Sequence, residues 1–273
     1  MKRIVMIAII FIAVGVAGTV ALGGDVFSIG PKTTVEENQS FQADEINHLR
    51  VKADVGDIVL KESEGDEIHV SITGKVPKWD ADKYDISIEQ KGDTLEVQFL
   101  KKKSKFFFIP LQFNVGEKRI IEVALPKDAL TTGHLQSNVG DVTIDALYVD
   151  ELTVKNDVGD IDIAEFNGEL LTIKSNVGDT TVKEATGQVD VQLDTGEIHL
   201  TMEEITENVT LMNDVGDISV AIKGATNGVV LDADTDIGDV KIKSGSFQIG
   251  ASNQNGPVLE AKTDVGDIIV EGN

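Results

Sequence analysis

No cysteine occurs anywhere in the 273 residues. Disulfides, a thiolate zinc site, a cysteine nucleophile and a lipid-modified N-terminal cysteine are excluded with it. Aromatic residues are scarce, at 5% with one Trp and two Tyr, so a sugar cleft has little to be built from. Val, Ile and Leu must carry the core. Basic residues are few: 24 Lys plus Arg stand against 47 Asp plus Glu, a formal charge of −23. A polyanionic partner needs a basic footprint, which argues against nucleic acid. The four histidines, His48, His69, His134 and His199, show no helical or metal-ligand spacing. No Gly-x-Ser-x-Gly elbow and no phosphate loop is present. These absences leave no catalytic constellation and point to no cofactor.

What the sequence does have is a recurring four-residue turn, as in Asp157-Val158-Gly159-Asp160. Its glycines are Gly56, Gly140, Gly159, Gly178, Gly196, Gly216, Gly238 and Gly266. From Gly140 onward they fall 19, 19, 18, 20, 22 and 28 residues apart. A period near twenty is the mark of a repeat architecture. Apolar residues stand seven and five positions before each Gly from Gly159 onward, as in Leu171 and Ile173, and two and four after it, as in Ile218 and Val220. Thr180 with Val182 is the one softened pair. Spacing by two predicts a strand with one buried face. Asp or Asn opens the turn by bonding its own backbone, and Gly supplies positive φ. A strand pair this short cannot bury its face alone, so successive coils must stack. The expected fold is all-β: a right-handed parallel β-solenoid of about 19–22 residues per coil, preceded by a transmembrane helix.

The N-terminus supplies that helix. Met1-Lys2-Arg3 precedes an uncharged run, residues 4–22. Nineteen helical residues rise about 28 Å, close to a bilayer core. The positive flank places residues 1–3 in the cytoplasm and the body outside, a single-pass cell-membrane layout. A cleaved signal peptide is the competing reading, but its apolar core is normally shorter. Residues 23–44 read as a polar juxtamembrane linker. The solenoid is expected over 45–273, with an irregular part at 75–130 and regular repeats at 131–273.

The repeated Val-Gly-Asp-Ile coils, the lead-in strand Ile121-Glu122-Val123-Ala124-Leu125-Pro126 and the membrane anchor resemble the bacterial "putative adhesin" family of unknown function. The anchored layout is similar to the LiaG-type proteins of Firmicute envelope-stress operons. The resemblance implies a β-solenoid on the outer side of the membrane, acting as a structural or interaction module. It carries no catalytic residues over. The alternatives are a cation-stiffened surface adhesin and a carbohydrate-active enzyme on a β-helix.

Two features are candidate sites. Stacked coils align the acids Asp141, Asp160, Asp179, Asp217, Asp239 and Asp267 into a column. Neighbours about 4.8 Å apart repel unless a hard cation such as Ca²⁺ intervenes. The plainer reading is that each acid caps its own turn. The second feature is the run Lys101, Lys102, Lys103, Ser104, Lys105, Phe106, Phe107, Phe108. Basic residues beside aromatics suit contact with a membrane surface, a protein or an envelope polymer. The alternative is a charged hairpin tip with the Phe side chains packed beneath it.

Overall fold

The computed structural model describes residues 32–102, 118–249 and 256–273. The expected membrane segment 4–22 lies outside these, as do Lys103, Lys105, Phe106, Phe107 and Phe108. Among the described residues no helix is long and apolar enough to cross a membrane.

The protein is all-β. The chain opens with β1 (Lys32–Gln42), β2 (His48–Ala53), β3 (Asp57–Glu62), β4 (Glu67–Pro77), β5 (Tyr84–Lys91), β6 (Thr94–Lys101) and β7 (Ile120–Leu125). A regular series follows: β8 (Thr132–Val139), β9 (Val142–Ile144), β10 (Leu147–Tyr148), β11 (Glu151–Val158), β12 (Ile161–Ile163), β13 (Phe166–Asn167), β14 (Leu170–Val177) and β15 (Thr180–Ala185). It continues through β16 (Gln188–Thr195), β17 (Ile198–Met202), β18 (Val209–Val215) and β19 (Ile218–Ile222). The last strands are β20 (Val230–Ile237), β21 (Val240–Ser244), β22 (Gln248–Ile249), β23 (Val258–Val265) and β24 (Ile268–Gly272).

Each coil crosses from one sheet to the other at its Gly turn. A long strand leads in and a shorter one leads out, because the residues before and after the Gly alternate apolar and polar. Equivalent residues of successive coils pair in parallel register. Val154 faces Ile173, then Val191, Leu211 and Ala261. On the other sheet Ile163 faces Val182, then Leu200, Val220 and Val270. These columns meet between the sheets in one apolar core, where Val154, Ile173, Ile163 and Val270 are fully buried. Burying each such side chain is worth about 1.5–3 kcal/mol, which no coil could obtain alone.

Space departs from sequence at both ends. In one sheet the order runs β1-β4-β7-β3-β9-β12-β15-β17-β19-β24-β21; in the other, β22-β20-β23-β18-β16-β14-β11-β8-β2-β6-β5. The coil β6–β7 therefore lies outside β2–β3, although it follows it in the chain. At the far end β23–β24, the last coil in sequence, inserts between β18–β19 and β20–β21. The 28-residue glycine spacing has its cause here: the chain must travel outward and return.

Three expectations need correction. The body is not purely parallel, since β1 pairs antiparallel with β4, β4 with β7 and β5 with β6. The linker read over 23–44 is strand from Lys32 to Gln42, because alternate residues of β1 add to the edge of β4. The irregular part at 75–130 breaks the period in sequence but supplies a stacked coil in space, since β6 and β7 pair with β2 and β3.

Candidate functional site

The turn column is built by close backbone approach. Gly159 has φ of +136°, and a Cβ there would overlap the carbonyl oxygen of Gly140 in the coil below. Gly216 stands the same way over Gly196, with φ of +133°. Stacking at 4.8 Å leaves no room for a side chain at this position.

The acids beside these glycines bond across coils. Asp141 N–H donates to Asp57 Oδ1 at 3.1 Å, Asp160 N–H to Asp141 Oδ1 at 3.0 Å and Asp179 N–H to Asp160 Oδ1 at 2.9 Å. Glu197 N–H continues to Asp179 Oδ1 at 2.8 Å. Beyond it Asp267 N–H reaches Asp217 Oδ1 at 2.8 Å, and Asp239 N–H reaches Asp267 Oδ1 at 2.9 Å. Asp57, Asp141, Asp160, Asp179, Asp217 and Asp267 thus cap the turn of a neighbouring coil, which corrects the simple turn-cap expectation. The N–H donors also reduce the need for a cation between rungs. Among the described residues no three His, Cys, Asp or Glu side chains cluster as metal ligands.

A second column escaped sequence reasoning. Three residues before the glycines, Ser137, Asn156, Asn213 and Thr263 are buried polar groups in an apolar core. Asn156 Nδ2 donates to the carbonyls of Gly140 at 3.1 Å and Gly159 at 2.9 Å. Asn213 Nδ2 reaches Gly196 O at 2.8 Å, and Thr263 Oγ1 reaches Gly216 O at 3.1 Å. These side chains satisfy carbonyls that the turn removes from the strand ladder. The signal was present: a Ser, Asn or Thr interrupts the period-two apolar pattern at that one position.

The first acid of each turn forms a third column that changes character along the stack. In the early coils Asn138 Nδ2 donates to Asp54 Oδ1 at 3.0 Å, and Asn176 Nδ2 to Asp157 Oδ1 at 3.3 Å. Later, Asp194, Asp214, Asp264 and Asp236 follow one another with no Asn between them, because the last coil inserts before the one carrying Asp236. Burial, then the charges of Asp194 and Asp264, raise the Asp214 carboxyl above its ordinary value.

Of the basic and aromatic run, Lys101 and Lys102 are described. Lys101 N–H donates to Asp54 Oδ2 at 2.7 Å, and its ammonium stands 5.7 Å from the Tyr84 ring centre. Lys102 Nζ reaches Asp82 O at 3.4 Å. The remaining members of the run lie outside the described residues.

The histidines are not brought together in one site. His48 Nδ1 lies 2.8 Å from Thr132 Oγ1, and His199 Nε2 lies 3.0 Å from Glu197 Oε2. His69 lines a shallow groove with Asn38, Ser40, Ser71 and Glu122. Its Nδ1 is 2.8 Å from Ser40 Oγ, a directly opposed cross-strand pair. A serine–histidine contact is half of a nucleophile–base pair. The carboxylate of the groove, Glu122, is held by Lys61 at 2.8 Å.

The apolar surface concentrates at the far end of the stack. Val240 and Ile242 are 40% and 39% exposed, whereas their counterparts Ile218, Val220, Ile268 and Val270 are 0–2% exposed. Ile237 and Ile249 stand beside them at 67% and 71%. Two lysines of β21 are held in place: Lys241 Nζ is 2.6 Å from Asp267 Oδ2, and Lys243 Nζ is 3.6 Å from Glu271 Oε2.

Residues 46–271 match the family model described as Toastrack DUF4097. No curated protein matches the chain. Among solved structures it is similar to a "putative cell adhesion protein" from Clostridium sporogenes, at 15% identity and a TM-score of 0.38, over 88% of this chain and 100% of that one. It is also similar to a "putative adhesin" from Bacteroides fragilis, at 18% identity and 0.40, over 88% and 97%. A third, a "Putative lipid binding protein" from Parabacteroides distasonis, has 11% identity and a TM-score of 0.37, over 87% and 96%.

Proposed function

The chain belongs to the Toastrack DUF4097 family, and from that premise we propose that it is a non-catalytic interaction module of the bacterial cell envelope, held at the membrane by residues 4–22. The observation that carries this reading is how the repeat uses its acids. Carboxylates at successive turns accept the backbone N–H of the next coil, so they act as structural rungs. What results is a stiff stack that displays its ends and faces.

The apolar run behind Met1-Lys2-Arg3 supports an uncleaved anchor with the body outside. The similarity to the LiaG-type layout supports a place in the envelope-stress response. The run from Lys101 to Phe108 is the contact for a protein or envelope-polymer partner, since it joins basic and aromatic residues in an otherwise acidic body.

The test uses the full chain in its native membranes. Protease added outside intact protoplasts should degrade the body, and deletion of residues 4–22 should release the chain from alkali-washed membranes. Crosslinking should capture a partner that is lost when Phe106, Phe107 and Phe108 are replaced by Ser. A body protected from external protease overturns the placement. Turnover of a wall polymer by the purified chain overturns the non-catalytic reading.

A further inference from the structure

The outward face of the sheet that holds β2, β8, β11 and β14 gathers cations, on a chain whose formal charge is −23. Alternate residues of these strands are buried, so the residues between them point out. Parallel register sets those outward residues in rows along the stack. One row runs Lys52, Gln136, Lys155 and Lys174. Arg50 and His134 stand side by side in the next row.

Elsewhere on the body, lysines stand beside carboxylates. Lys61 Nζ is 2.8 Å from Glu122 Oε2, and Lys223 Nζ is 2.9 Å from Glu184 Oε1. Arg50 is likewise held by Glu96 at 2.9 Å. Lys52, Lys155 and Lys174 make no ion pair among the described residues. Lys155 and Lys174 are direct cross-strand neighbours, about 4.8 Å apart at the backbone. Like charges so placed oppose pairing. The same field reaches His134: burial first, then the charges of Lys155, Arg50 and Lys52, lower its imidazole below the ordinary value. The turn acids beside the lysine row are also thinned here. Asn138 and Asn176 stand where later coils carry Asp194, Asp214 and Asp264. A repulsion that the fold leaves in place is one that a bound anion relieves.

We propose that Lys52, Lys155 and Lys174 bind a linear phosphate polymer lying along the stack axis. From β2 to β14 is three strand steps, about 14 Å at the usual spacing. Side chains stand roughly perpendicular to a sheet, so the ammonium groups present a line of charge to repeated anions. Carboxylates border the tract: Glu96 beside Arg50, Asp190 beside Thr172, and Asp157 at the turn after Lys155. A planar anionic surface such as a bilayer would press on these acids, whereas a narrow chain meets the lysine row alone. Neither row carries an aromatic side chain for a base to stack on, which disfavours nucleic acid. This surface shares no residue with the proposed Lys101–Phe108 contact and needs no membrane anchor.

Calorimetric titration of the full chain, in uncharged detergent micelles, with sodium polyphosphate tests this. The native chain should bind saturably. Its affinity should fall between about 50 and 200 mM salt with a log–log slope near −2, as about three neutralised phosphates require of a flexible strand. Lys52→Gln, Lys155→Gln and Lys174→Gln should each weaken binding by roughly fivefold. Lys183→Gln removes the same charge from an exposed position of the other sheet and should leave binding unchanged, which separates a local site from net charge. All four positions lie outside the core, so each variant should keep the native Tm. Inorganic phosphate at equal phosphorus concentration should not displace the polymer. No saturable binding at the lower salt overturns the proposal. So does a loss in Lys155→Gln no greater than in Lys183→Gln, or displacement by inorganic phosphate. Displacement by phosphatidylglycerol added to the micelles assigns the row to a lipid surface and overturns it too.

Discussion

At one end of the stack β6–β7 lies outside β2–β3; at the other β20–β21 lies outside β23–β24. Both ends thus place a coil out of sequence order, but among the described residues only the first is covered by further strands. There β4 and β1 extend one sheet antiparallel, and β5 extends the other. Phe99 is 1% exposed under Tyr84, whose ring centre is 5.4 Å away. At the far end β22, two residues long, adds to β20, and nothing described adds to β21. The lesson is that stacking alone does not finish a repeat protein. A coil becomes a core layer when something covers both its sides, and among the described residues antiparallel strands provide that covering at one end.

The comparison can be broken or sharpened by substitution. The largest effect is expected between the ends, at a turn that both depend on. Gly216→Val must fit a Cβ against Gly196 O at a φ of +133°, and should cost more than about 4 kcal/mol or prevent folding. The same change at Gly92, whose Cβ would meet nothing within 4 Å, should cost about 1 kcal/mol through its positive φ alone. Urea unfolding of both variants measures the difference, and equal costs would remove the role assigned to coil contact.

Next, Phe99→Ala at the closed end should cost about 3–5 kcal/mol. Ile249→Ala at the open end should stay within about 0.5 kcal/mol for the unassociated chain. Similar losses at both sites in a denaturant titration would mean that the far end is covered after all.

A smaller effect of opposite sign is expected in mid-stack. Thr180 is fully buried and its Oγ1 has no hydrogen-bond partner. Thr180→Val should stabilise the fold by about 1 kcal/mol, read as a rise in Tm, because the hydroxyl is desolvated with nothing in return.

The smallest concerns the unbroken aspartates of the far half. The folded carboxyl of Asp214 is raised from its ordinary 3.8, so the native state holds this proton more tightly than the unfolded chain does. Its contribution is fully present below pH 3.8 and is lost as pH rises through the higher folded value. Asp214→Asn should flatten that part of the Tm–pH curve and slightly raise Tm at neutral pH. A curve unchanged in shape would show that neither burial nor the charges of Asp194 and Asp264 shift Asp214.

Much of this was legible in the residues. The glycine column, the lead-in pair Leu171 and Ile173 and the lead-out pair Ile218 and Val220 predict strands, turns and stacking, because burial of one face repeats in each coil. Asn156 and its equivalents were legible in principle, as polar interruptions of an apolar pattern. The β6–β7 coil was hidden because residues 102–119 separate its two strands in the sequence, where other coils have a short Gly turn. That acids cap neighbouring turns was hidden for another reason: the donor and acceptor stand 19 residues apart in the sequence, as in Asp141 and Asp160, and only stacking brings them together.

The sequence by itself determined what every coil is. Alternation sets which face is buried, and glycine and its acid set where the chain turns, since both are local consequences of side-chain size and backbone freedom. Only the tertiary structure decided which coil lies beside which. The coils repeat nearly the same inward apolar pattern, so alternation alone does not say whether β23–β24 or β20–β21 lies against β18–β19. The choice between them rests on contacts far apart in the chain, and with it the identity of the coil left open at the end.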